Sequence, residues 1–318
     1  GRSQSPLQAA DLVRSEEFSE KSRCPYDEAD ARHWISQQAG RWDYVIRAGG
    51  RLVGSVSTTG AELGYWLAAP ERGRGLATGA ARLAVMRWFA AGYSTLTARY
   101  EIGNDGSAAL LHRLGFRDAG SEQRPSAARG KLVARAIQTL TPRDFAAANP
   151  FRIATARTIM DPLLPGDAEA LAAIVSLPEV ARMLFLFDSG FGPDRARDFI
   201  RDWSWQGAPP FRLAIRTGGR MIGSIGIGAP PENEIYYFLA PEVGGRGLAS
   251  EIVPAFCEAV TARFDLRHLT AEVFDDNPAS IRVLERAGFR RTGPEMLHSR
   301  GRAEPAPGWA YRRDSEFF

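Results

Sequence analysis

Two stretches of this chain carry residue types whose spacing can hold or move a charged group. The first, Arg72-Gly73-Arg74-Gly75-Leu76-Ala77, follows an apolar run, Leu63-Gly64-Tyr65-Trp66-Leu67, and opens an apolar-faced helical stretch. The second, Gly244-Gly245-Arg246-Gly247-Leu248-Ala249, follows Glu234-Ile235-Tyr236-Tyr237-Phe238-Leu239 in the same order and spacing. A glycine-punctuated turn at a helix start leaves backbone N–H groups unpaired where the helix dipole favours negative charge. Its natural ligand is therefore a phosphate or pyrophosphate. Glycine matters there because a Cβ would hold the ligand off the backbone. Each turn is preceded by a carboxylate at the strand start, Glu62 or Glu234, and followed by an Asn-x-x-Ser segment, Asn104 to Ser107 or Asn277 to Ser280.

The elements that must position these residues also occur twice. Leu7, Ala10, Leu12 and Val13 read as one helix and residues 27–37 as a second. Trp42 to Arg47 and Arg51 to Val56 flank Ala48-Gly49-Gly50 and predict a hairpin. Past the first turn, Leu76, Ala80, Leu83, Met86 and Ala90 share a helical face. Thr95 to Tyr100 predicts a strand, a helix follows Asn104 and stops at Gly115 with Phe116 packing back, and Leu132 to Leu140 closes the unit. The stretch from Thr141 to Pro150 reads as an inter-domain connection. The second copy then repeats the hairpin at Gly218-Gly219-Arg220, the strand at Leu269-Thr270-Ala271 and the closing Ala287-Gly288-Phe289. Two domains follow, residues 1–145 and 146–318. The second has a candidate first strand over Thr155 to Met160 and a helix from Asp167, whereas the first strand of domain one is missing or lies upstream.

With 318 residues, 44% hydrophobic and 24% charged, the composition is that of a globular protein. Forty basic against 37 acidic side chains leave a net charge of +3, too little to imply a nucleic-acid footprint. Cys24 and Cys257 fall in different halves and fit neither a disulfide framework nor a metal cluster. His33, His112, His268 and His298 share no ligand spacing, so no metal is expected. No apolar run suits a membrane span, and the expected location is the cytoplasm.

The ordered series of strand, Arg-x-x-Gly-x-Ala, helix, strand, Asn-x-x-Ser and a helix ending in Gly-Phe resembles the GNAT superfamily of acetyl-CoA-dependent N-acetyltransferases. It looks most similar to the bacterial branch that acetylates the N-termini of ribosomal proteins. The likeness spans about residues 8–140 and again 153–313. It implies an α/β (α+β) fold of two tandem domains, each a mixed β-sheet flanked by helices and splayed beside the strand before the turn. Acetyl-CoA would lie in that V. The resemblance places the cofactor on Leu67, Arg72, Gly73, Arg74, Gly75, Leu76, Ala77 and Asn104, and on Leu239, Gly244, Gly245, Arg246, Gly247, Leu248, Ala249 and Asn277. Gly244 stands where the family has Gln or Arg, Asp161 where this branch has Arg, and Pro254 is expected to kink its helix.

The activity so implied is direct acetyl transfer from acetyl-CoA to a primary amine, a peptide N-terminus or a small molecule. The alternative is an acyl-CoA-binding sensor or scaffold with one or both domains inactive. An α-amino group with a pKa near 8 is partly neutral at pH 7, whereas a lysine amine near 10.4 demands a stronger base. Glu62 and Glu234 occupy the place where the family puts a proton-accepting carboxylate; otherwise they are solvated strand-end charges. Ser107 and Ser280 lie where this branch has a thiolate-protonating serine, and equally where a helix N-cap belongs. Asn104 and Asn277 either orient the pantetheine or cap the same helices. Backbone N–H groups near Trp66-Leu67 and Phe238-Leu239 would serve as oxyanion donors if that strand bulges. Assembly is expected as a monomer whose domains mimic a dimer, or as a homodimer.

Overall fold

The computed structural model describes residues 43–126 and 129–315. The two helices expected before residue 38, together with Cys24 and His33, lie outside the described residues. The chain divides into two compact units, Gly1–Asn149 and Pro150–Phe318.

In the first unit β1 (Asp43–Ala48) and β2 (Arg51–Ser57) form the expected hairpin. Gly49 and Gly50 turn it at φ 56° and 79°, a left-handed pair that glycine adopts without steric cost. There follow β3 (Glu62–Leu67), α1 (Leu76–Ala90), β4 (Leu96–Glu101), α2 (Asp105–Leu114), β5 (Arg117–Ser126), β6 (Lys131–Leu140) and α3 (Pro142–Ala148). The sheet order is β1-β2-β3-β4-β6-β5. Strands β3 and β4 are parallel and pair only at Glu62↔Thr97 and Leu63↔Ala98, after which they part. Thr97 Oγ1 pins the closed end by donating to the Ala61 carbonyl at 2.9 Å. The buried face of α1 holds Ala81, Ala84, Val85, Met86, Trp88 and Phe89, while Leu83 is exposed. Of the face expected from sequence, Met86 is buried and Leu76 and Ala80 pack half-buried against Ile46, Val53 and Leu67, so Leu83 is the departure.

The expected connection is instead a helix of the first unit. Thr141 caps α3 by accepting the Asp144 amide, Phe145 is fully buried, and Asn149 donates to the Leu114 carbonyl at 3.1 Å. The division therefore falls after Asn149 rather than after residue 145. Its two prolines serve as the N1 residue of α3 and as the first residue of the next unit.

The second unit contains β7 (Ile153–Ala154), β8 (Ile159–Pro162), α4 (Ala168–Val175), α5 (Pro178–Ala181), α6 (Pro193–Trp203), β9 (Phe211–Thr217), β10 (Arg220–Ile227) and β11 (Ile235–Leu239). After them come α7 (Leu248–Phe264), β12 (His268–Phe274), α8 (Pro278–Arg286), β13 (Arg290–Leu297) and β14 (Ala306–Asp314). The single strand expected over Thr155 to Met160 is a hairpin, because Thr155 and Thr158 close a turn through backbone and hydroxyl bonds. Pro254 lies within α7, and the helix continues past it to Phe264. Phe151, Trp205, Phe211 and Phe264 pack their rings 4.9–6.3 Å apart in the core.

The splay is wider here. The sheet β11-β10-β9-β8-β7 and the sheet β12-β14-β13 touch through one parallel bridge, Glu234↔Thr270. Thr270 Oγ1 donates to the Glu232 carbonyl at 3.0 Å, the counterpart of the Thr97 pin. Both units thus have the V expected from sequence. No helix among the described residues is long and apolar enough to cross a membrane.

Candidate active site

Both glycine turns are open. Gly73 and Gly75 have φ 75° and 78°, Gly245 and Gly247 φ 71° and 73°, and all four are exposed. A Cβ at Gly73, Gly75 or Gly245 would meet nothing within 4 Å, so the space over these amides is free for a ligand. Gly75 and Gly247 are the N-caps of α1 and α7 and offer no side-chain cap. Among the described residues no backbone carbonyl takes the amides of Gly73, Arg74 or Gly75, nor those of Gly245, Arg246 or Gly247. Four orphan donors at a helix start with room above them make an anion cradle.

The strand before each turn has one free edge. The Ala240 amide donates to Ile222 O at 2.8 Å and the Ala68 amide to Val53 O at 2.8 Å, which fixes the pleat. By alternation, Phe238 and Trp66 point their backbone groups at the hairpin strand, while Leu239 and Leu67 point theirs into the V. The register shifts lie one strand over, in the hairpin pairs. Val53 in β2 and Ile222 in β10 are the extra residues, and β3 and β11 keep an unbroken register with them. At Gly54 and Gly223 a Cβ would lie 2.5 Å from Trp66 O and 2.2 Å from Phe238 O. The close approach is taken up by the glycine strand.

Asn104 and Asn277 are the N-caps of α2 and α8, accepting the amides of Ser107 and Ser280 at 3.2 and 3.1 Å. The capping role therefore belongs to asparagine, while the side chains of Ser107 and Ser280 are hydrogen-bonded to Tyr65 and Tyr237. Tyr65 and Tyr237 donate to the Ser107 and Ser280 carbonyls, both at 3.4 Å, tying β3 to α2 and β11 to α8 across each V. Burial pushes the Tyr237 hydroxyl up to about 12.

The two carboxylates differ in their surroundings. Glu62 is ion-paired with Arg99 on β4, which also faces Glu122. In the second unit Glu272 on β12 stands in the register place of Arg99, so Glu234 faces a like charge. Burial, then repulsion from Glu272, raise Glu234 from its ordinary 4.5 to about 7, against the opposing pull of Tyr236 and Arg212. Tyr236 donates to Glu234 Oε2 at 2.6 Å, and Oε1 is buried without a partner. Sequence alone did not reveal Tyr236, Arg212 and Glu272 as partners of this group.

A cavity of 760 Å³ fills the V of the second unit. Glu234 and Arg212 line it, as do Leu239, Gly245, Gly247 and Ser280. Where Gly244 leaves the first position of the turn without a cation, Arg157 supplies one from the β7–β8 hairpin. Its Nη1 donates to Arg246 O at 2.8 Å, its Nε to Glu251 at 2.8 Å, and its Nη2 is 3.9 Å from a Cβ placed on Gly247. Asp161, in the place where Arg was expected, joins Asp167 in holding Arg216, each at 2.7 Å. Cys257 is buried, and burial pushes its thiol up to about 12.

The family description "Acetyltransferase (GNAT) domain" matches residues 6–117 and again residues 157–290. The chain belongs to the GNAT acetyltransferase family. The N-acetyltransferase YoaA of Bacillus subtilis strain 168, itself described as uncharacterized, is 31% identical over 147 residues, 44% of this chain and 82% of that protein. A GNAT acetyltransferase from Bacillus anthracis is 22% identical with a TM-score of 0.45, covering 52% of this chain and 98% of its own. RimJ of Mycobacterium smegmatis, solved in complex with CoA-disulfide, is 19% identical with a TM-score of 0.45, covering 53% and 87%. Each GNAT match in this chain carries one glycine turn and one V.

Proposed function

We propose that the second unit transfers acetyl from acetyl-CoA to a primary amine by direct attack. The observation that carries this reading is a carboxylate with a pKa of about 7, Glu234, at the closed end of a cavity that runs to an open helix-start turn. The residues fit the donor. The amides of Gly245 to Ala249 and the Arg157 guanidinium suit a pyrophosphate, and the free edge of Leu239 suits an amide of the pantetheine arm. When bound, acetyl-CoA supplies an activated thioester.

Glu234 takes the proton of the incoming ammonium, because a base whose pKa lies near the working pH combines a useful ionised fraction with useful strength. The amine then forms the C–N bond as the C–S bond breaks, and the electron pair leaves on sulfur. Charge developing on the acetyl oxygen meets the β11 backbone edge. Ser280, at the start of α8 and hydrogen-bonded to Tyr237, gives a proton to the departing thiolate and recovers one from solvent.

In the first unit we infer CoA binding through residues 72–77 without the base, since Glu62 is committed to its ion pair with Arg99. The test is CoA release from acetyl-CoA across a panel of amines and peptide N-termini. Glu234→Gln should lower kcat by about a hundredfold or more, while Glu62→Gln leaves it within about twofold. Equal losses in the two variants would overturn the assignment of the working unit. Absence of CoA release with every amine would overturn the transferase reading.

A further inference from the structure

Arg212 is the least expected group in the cavity of the second unit. It is 4% exposed, and among the described residues its side chain makes no hydrogen bond or ion pair. Its Nε is buried without a partner, and the guanidinium lies 4.9–5.7 Å from the ring centroids of Tyr236, Phe199 and Trp203. Burial lowers its pKa to about 10. Aromatic faces recover part of the desolvation cost of a cation but leave its N–H groups unsatisfied.

The placement is built. Arg212, Gly226 and Tyr236 stand in register across β9, β10 and β11. A Cβ on Gly226 would lie 2.4 Å from Arg212 Cγ, so the glycine leaves a slot through which the side chain crosses the sheet toward Glu234. The first unit carries Asp43, Ser57 and Gly64 in the same row, with no cation in that place. The cavity therefore holds a buried arginine and a half-buried glutamate, each with a buried, unpartnered atom: Arg212 Nε and Glu234 Oε1. Such a pair matches a ligand that carries its own ammonium and its own anion a short distance apart.

We propose that the acceptor of the second unit is an amino carboxylate: its ammonium is received by Glu234 and a carboxylate within a few bonds of that nitrogen is received by Arg212. The inference rests on the transferase reading for the amine's position, while carboxylate recognition stands on Arg212. A free amino acid and a peptide beginning with aspartate or glutamate share this chemistry.

The experiment uses the full chain. CoA release and calorimetric binding are measured for the common amino acids, their carboxamides, and peptide amides beginning with aspartate, glutamate, asparagine or glutamine. At least one acid should exceed its own amide by about tenfold or more in kcat/KM and in affinity, as a charge-assisted bond supplies. Preference among free amino acids or among the peptides identifies the source of the carboxylate. In Arg212→Met the ratio of acid to amide should fall to near one, and in Arg212→Lys it should survive in part. Wild-type protein that treats every acid and its amide alike, or an Arg212→Met ratio that is unchanged, overturns the inference and leaves the transferase reading standing. Acids that bind more tightly than their amides through Arg212 but are never acetylated would sink the transferase reading and keep this one. If Arg212→Met does not fold, the wild-type ratios and Arg212→Lys decide.

Discussion

Tyr236 donates its hydroxyl to Glu234 Oε2 at 2.6 Å from two residues along, a spacing that puts both side chains on one face. That bond favours the charged carboxylate and opposes the burial and the Glu272 repulsion that raise it. Removing the donor should therefore push the carboxylate further up. In Tyr236→Phe the rising limb of the pH profile of kcat/KM should move above its wild-type midpoint near 7. A limb that stays in place or moves down would show that Glu234 is not the titrating base.

The same carboxylate should be visible in stability. Its folded pKa of about 7 lies above its ordinary 4.5, so between those values the native protein keeps a proton that the unfolded chain has released. The stabilisation is full below 4.5 and is lost as pH rises through 7. Glu234→Gln removes the titration. The stability of the variant relative to wild type, from urea unfolding of the second unit, should increase between pH 4.5 and pH 8. A difference that is flat with pH would contradict the assigned shift.

The fold was legible because its signals are local: a glycine turn at a helix start, hairpin glycines at φ above zero, and a helix stop at Gly115 followed by buried Phe116. Strands β5 and β13 were not legible. Residues such as Arg117, Glu122 and Glu295 lie on largely exposed edge strands that bury no alternating face. The glycine turns and both glutamates of the candidate site were found by position in the repeat. What separates the two glutamates was not, since Arg99 opposing Glu62 and Glu272 opposing Glu234 depend on register across the V. Arg212 is a further case: only the slot at Gly226 reveals where its side chain goes.

Ala61 and Asn233 stand at equivalent places before β3 and β11, and both are left-handed, at φ 60° and 52°. Asparagine tolerates that region, and Asn233 donates to Pro231 O at 3.0 Å, whereas alanine there is strained by about 1 kcal/mol. Ala61→Asn should stabilise the first unit by about 0.5–1 kcal/mol. The check is the denaturation midpoint of that unit. An unchanged or lowered midpoint would mean that the strain is compensated by the Thr97 bond to the Ala61 carbonyl.

Arg157 joins the candidate pyrophosphate turn to Glu251 in the first turn of α7, and the pairing has two effects. It brings a cation to a turn whose first residue is Gly244, and it neutralises a carboxylate that would repel an anionic ligand. Thr155 and Arg157 together hold Glu251 down at about 2. Arg157→Ala should therefore raise KM for acetyl-CoA by roughly tenfold while kcat changes little, the pattern of lost uniform binding. Adding Glu251→Gln should recover part of the loss, because the unmasked carboxylate is then gone. A double variant no better than Arg157→Ala alone would assign the whole effect to the missing cation. An unchanged KM in the single variant would remove Arg157 from the binding site.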